Sequence, residues 1–147
     1  MALDFDKYAM KGNEFLNILA KKLGDEADRD RAARVVRSVF HSLRRHLSVE
    51  ESVQHLAQLP MALKSVYVDG WQINKPHERI HTFDDIVNEI VQEEGRAAWR
   101  DFGNREDVIF AIRAVVETMN HYVSKGELEE AFGTLPEGLK KAFLAWV

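Results

Sequence analysis

Cysteine is absent from this 147-residue sequence, so disulfides and thiolate metal sites are excluded from the outset. Apolar runs are short, none approaching the ~20 residues that span a bilayer, and no membrane partner is expected. The opening MALDFDKYAM carries acids where a signal peptide would carry a basic stretch and an apolar run, which makes a cytoplasmic location the expectation. Neither a G-x-G-x-x-G pattern nor a P-loop occurs; Gly133 and Gly138, flanking Leu135-Pro136, read as turn residues. Proline is confined to Pro60, Pro76 and Pro136. What remains is ordinary for a globular chain. Its 46% apolar and 30% charged residues argue against disorder, and its length suits one core or two small units sharing one.

The formal net charge of −4 hides an uneven spread. Residues 1–70 hold 11 Lys/Arg against 10 Asp/Glu, whereas 71–147 hold 9 against 14. That overall balance argues against a general nucleic-acid binder. One segment keeps the class open: within 29–46, Arg29, Arg31, Arg34, Arg37, Arg44 and Arg45 face a single acid, Asp30.

The chain is written twice. Sliding it by 76 positions lays 29–71 on 105–147 without a gap, with Arg37 on Arg113, Ser48 on Ser124, Leu59-Pro60 on Leu135-Pro136 and Tyr67 on Phe143. A shift of 71 relates 14–24 to 85–95, so a five-residue insertion separates the two registers. In the first copy Ala32, Val35, Val36, Val39, Phe40, Leu43 and Leu47 fall on one face of a 3.6-residue period; Val108 to Val123 repeat the stripe. Ser48-Val49-Glu50-Glu51 and Ser124-Lys125-Gly126-Glu127 both match the S-x-x-E capping box. The short helices that follow should stop before Leu-Pro, and Pro60 and Pro136 should open the closing helices. Leading helices are expected over 4–23 and 83–94, and long ones over 28–46 and 104–123. The expected fold is all-α, with two tandem pseudo-equivalent four-helix repeats packed into one compact bundle. Residues 1–71 form repeat one, 72–82 the linker and 83–147 repeat two. A fused core is favoured because each copy alone is small.

Within the linker, His77-Glu78-Arg79-Ile80-His81 spells H-E-x-x-H, the zinc-peptidase signature. The motif needs a helix to bring His77 and His81 one turn apart, with Glu78 as general base. Thr82-Phe83-Asp84-Asp85 instead reads as a helix start, which would leave the histidines outside it. A metal-dependent hydrolase using His77, Glu78 and His81 is therefore the minor reading, and neither a metal nor another cofactor is expected.

Three features together carry a family resemblance. They are Gln58-Leu59-Pro60, the run Tyr67-Val68-Asp69-Gly70-Trp71, and the second LP-x-x-L-x-x-x-F from Leu135 to Phe143. They follow long helices bearing Val36-Arg37-Ser38-Val39 and Arg113-Ala114-Val115. The chain resembles the uncharacterised family known as domain of unknown function 2267 over nearly its whole length. That resemblance implies an all-helical, duplicated bacterial protein with no established activity and no catalytic residues to carry over. Leu59, Pro60, Tyr67, Gly70, Trp71, Leu135, Pro136 and Phe143 are read as structural signature positions, since aromatics at helical spacing fill cores.

Arg34, Arg37, His41, Arg44 and Arg45 cover a helix face roughly opposite the apolar one. The bland account is a solvated face. The functional one is association with an acidic surface: Asp84, Asp85, Glu89, Glu93 and Glu94 could meet the stripe within the molecule or across a dimer. Nucleic acid ranks lower, because no aromatic interleaving or recognition motif accompanies the arginines. The reading with most support is a non-enzymatic helical interaction, adaptor or regulatory module whose partner is another protein or a second copy of the chain.

Overall fold

A computed structural model describes residues 3–74 and 82–147, apart from the His55 side chain. Among these residues the regular secondary structure is all helical, without a strand. Helices α1 (Phe5–Lys22), α2 (Arg29–His46), α3 (Val49–Leu56) and α4 (Met61–Val68) precede the linker. After it come α5 (Phe83–Glu94), a 3-10 turn (Gly95–Ala97), the short α6 (Ala98–Asp101), α7 (Arg105–Met119), α8 (Lys125–Gly133) and α9 (Glu137–Ala145). No helix among the described residues is long and apolar enough to cross a membrane.

Side-chain caps start the main helices. Asp4, Asp28 and Asn104 accept the backbone N–H three residues on, opening α1, α2 and α7. Thr82 and Asp85 form a reciprocal capping box at α5. The two expected serine boxes form only half of that arrangement. Ser48 and Ser124 accept from Glu51 and Glu127, but the Ser124 N–H donates to Gln58 Oε1 at 2.8 Å, so a side chain from the α3–α4 turn replaces the glutamate. Pro60 and Pro136 precede α4 and α9 with nearly the same backbone, at φ/ψ −54°/145° and −52°/146°.

Two segments differ from the sequence expectation. Helix α7 stops at Met119 rather than 123, because the N–H groups of His121 and Tyr122 tighten onto carbonyls three residues back. The Asn120 side chain there donates to Trp146 O at 3.1 Å, tying the end of α7 to the end of α9. The second difference is the elbow from Gly95 to Asp101. Gly95 takes φ +62°, which ends α5 and turns the chain into α6.

The leading helices pack across the molecule: α5 lies on α2 and α1 touches α7, while α2 meets α7 and α3 meets α8. One continuous core results. Phe15, Phe40, Tyr67, Ile86, Ile112, Met119, Phe132 and Phe143 are fully buried within it. Burial of a side chain this size contributes about 1.5–3 kcal/mol each, so the interior itself holds the two ends of the sequence together.

Candidate functional site

Most of the arginine stripe of α2 is covered, with Arg37 alone of its members left exposed. His41 is 2% exposed and Arg44 7%, because α5 and the end of α4 lie along that face and long basic side chains bury their stems while their heads find partners. The helix face that sequence periodicity places opposite the apolar stripe is a second interface.

Each basic group has an acceptor. Arg34 grips Asp101 with two parallel bonds, Nε to Oδ2 and Nη2 to Oδ1, both 2.8 Å. Asp101 is 2% exposed. Burial alone would raise its carboxyl, but Arg34 and the nearby charges hold it below its ordinary value. Arg31 reaches the same place through the backbone, with Nη2 donating to Asp101 O at 2.8 Å. Arg37 pairs with Asp69 at 2.9 Å on the open rim. The His41 ring lies between Glu93 Oε1 and Val66 O, 2.9 Å from each. Both neighbours are acceptors, so a ring protonated on both nitrogens satisfies both. Arg45 donates to Glu93 Oε2 at 2.8 Å, and Glu89 receives Ser42 Oγ at 2.6 Å and His46 Nε2 at 3.0 Å. Burial works to raise Glu89 and Glu93. Hydrogen bonds from His46 and Ser42 to Glu89, and from Arg45 and His41 to Glu93, outweigh it and hold both below the ordinary range.

Arg44 has a different role. Its Nη1 donates to Tyr67 O and Asp69 O, both at 2.7 Å, closing the C-terminus of α4. Gly70 follows at φ +67°, and Trp71 packs edge-on against Tyr67 at 5.8 Å. The Tyr67 hydroxyl shares a 2.7 Å hydrogen bond with Ser52. Tyr67-Val68-Asp69-Gly70-Trp71 is thus a helix terminus with its arginine cap. Leu59, Leu135 and Phe143 are buried in the core.

Sequence reasoning missed Ser38, Ser42 and Asp101, all buried, and the special position of Glu94. Ser38 and Ser42 carried a signal: with Arg34 and Arg45 they recur at spacings of four, four and three on one helix face. Asp101 carried none, since its place depends on the elbow. Elsewhere, an apolar cleft of about 160 Å³ lies between α1, α2 and α4, and no charged side chain lines it. Among the described residues no three His, Asp or Glu converge as a metal site, and His77, Glu78 and His81 lie outside those residues.

These features define an all-helical bundle whose long basic helix is roofed by an acidic one. The chain matches the family described as "Uncharacterized conserved protein (DUF2267)" over residues 12–142, and it belongs to that family. No curated protein matches it.

Proposed function

We propose that this protein is a non-enzymatic, helical interaction module of adaptor or regulatory type, built from two fused copies of one four-helix unit. Repeat one is 1–71, the linker 72–82 and repeat two 83–147, acting in the cytoplasm. Several facts support the duplication. Pro60 and Pro136 share a backbone conformation, Gly24 and Gly95 both end leading helices at positive φ, and Arg44 and Asn120, 76 positions apart, tie down the ends of α4 and α9.

The observation that carries the interaction reading is Trp99. It is 78% exposed on the elbow, between the exposed Arg96 and Arg100, neither of which has a partner among the described residues. A large aromatic flanked by two free guanidinium groups suits an acidic protein surface. The α2 stripe is less suited to that role, or to phosphate, because its charges are already met by carboxylates and carbonyls.

A photo-crosslinking residue at position 99 tests this. A discrete protein adduct that disappears in Arg96→Glu/Arg100→Glu supports the reading, and an adduct of twice the chain's mass identifies the partner as a second copy. No adduct at all overturns it. Stoichiometric zinc in the purified protein, lost in His77→Ala, would replace it with the metal-dependent hydrolase. A salt-dependent nucleic-acid shift lost in Arg37→Glu would favour nucleic-acid binding.

A further inference from the structure

Glu94 ends α5 at the point where the chain turns into the elbow. Its Oε1 accepts from Ser38 Oγ at 3.2 Å, while Oε2 is buried without a hydrogen-bond partner. An ionised carboxylate leaves that oxygen's charge desolvated, which is among the costliest arrangements in a protein interior. Asp101 is within hydrogen-bonding reach, and its charge is fixed by the Arg34 fork. A carboxylate oxygen has lone pairs to spare after one such bond.

We infer that Glu94 carries a proton which it donates to Asp101, and that losing this proton to water unlatches the elbow 95–101 from α2. The groups facing Glu94 are few. From α2 come Ser38 and Arg34, whose Nε and Nη2 are both committed to Asp101. Arg31 gives its donors to the carbonyls of Asp101 and Leu23. From α6 comes Asp101 itself. On α5, Glu93 is turned toward Arg45 and His41. No described donor bonds Oε2, and were it ionised, two carboxylates would oppose each other across the joint between α5 and α6.

Burial, followed by Asp101, pushes the Glu94 carboxyl up to about 8, while Ser38 and Arg34 pull the other way. The unfolded chain would ionise it near the ordinary 4.5. Between those values the folded state holds more protons than the unfolded, so stability falls as pH rises from about 4.5 to 8 and levels off above. The latch sits close to neutrality, where a modest pH change moves it. What it moves is the segment that carries Trp99. This regulatory use rests on the docking role given to Trp99 above; the shared proton does not.

Carboxyl-carbon NMR of the glutamate-labelled protein tests the proton directly, with the Glu94 signal identified by its loss in Glu94→Gln. A midpoint near 8 is expected, well separated from other glutamates; titration within the ordinary range overturns the inference. The indole N–H of Trp99, identified by Trp99→Phe, should shift with the same midpoint, and an indole indifferent to that transition overturns release of the elbow. In thermal unfolding the wild type should lose about 10 °C of Tm between pH 5.5 and 8.5 through this group, a loss absent in Glu94→Gln. An equal loss in both proteins counts against the latch. A titrating Glu94 without any crosslinked partner would separate a sound latch from a failed docking assignment.

Discussion

Helix α5 lies on α2, and α1 touches α7, yet these two crossings are built from different chemistry. The first is ionic and largely closed to water, with Arg34, His41, Arg45 and His46 each meeting a carboxylate. The second is aromatic and lightly polar: Phe15 packs on Tyr122 at 5.4 Å, the Tyr122 hydroxyl donates to Glu14 at 2.7 Å, and Lys22 stands 3.8 Å from Glu117. The elbow accounts for part of the difference. It carries Asp101 over Arg34, whereas the α1–α2 turn is shorter and the corresponding position on α7, Phe110, is left 53% exposed.

The largest effect should come from undoing the roof. Asp101→Asn removes the counter-charge of the Arg34 fork and is expected to cost about 2–3 kcal/mol in denaturant unfolding, since two charge-assisted hydrogen bonds onto a buried carboxylate are weakened together. A loss below ~1 kcal/mol would reduce the ionic crossing to decoration. Next comes Gly12→Val, because a Cβ there would sit 2.6 Å from the Ala62 Cβ, where α1 and α4 meet. About 2 kcal/mol of destabilisation follows from such overpacking, and Ala62→Gly in the same chain should recover part of it. Double-mutant cycles give the sharpest comparison of charge pairs. Arg45 with Glu93 should couple by about 1 kcal/mol, and the exposed Arg113 with Glu117 by about 0.3–0.5 kcal/mol. Equal couplings would mean that burial makes no difference here. Smallest of all, Phe110→Ala should change the unfolding free energy by no more than ~0.5 kcal/mol, as expected for a surface position, in contrast to Arg34's side of the molecule.

Much of this was legible before the structure. The apolar stripe of α2 and the Thr82 start of α5 follow from periodicity and capping chemistry, and both are present. The acids proposed to meet the stripe divide four ways. Glu89 and Glu93 reach its basic groups, Glu94 reaches Ser38, and Asp85 is used in the cap. Asp84 pairs with Arg105 at the start of α7. What could not be read was burial of the basic face, because periodicity reports where apolar atoms lie, and an arginine stem is apolar under a polar tip. The elbow was equally opaque. Gly-Arg-Ala-Ala-Trp-Arg-Asp has no face long enough to show a period, and Asp101 matters only through the tertiary position its turn gives it.

Gly12 and Phe83 occupy matching places in the two leading helices under the 71-residue shift. The glycine admits Ala62 at close range, while the phenylalanine fills a wider gap against Phe143 and Trp146, with ring centres 6.1 and 5.9 Å away. Neither helix would fit the other's berth: a phenyl group at 12 meets α4, and a hydrogen at 83 leaves a hole. The two leading helices are not spare parts for each other, and the molecule has a front and a back.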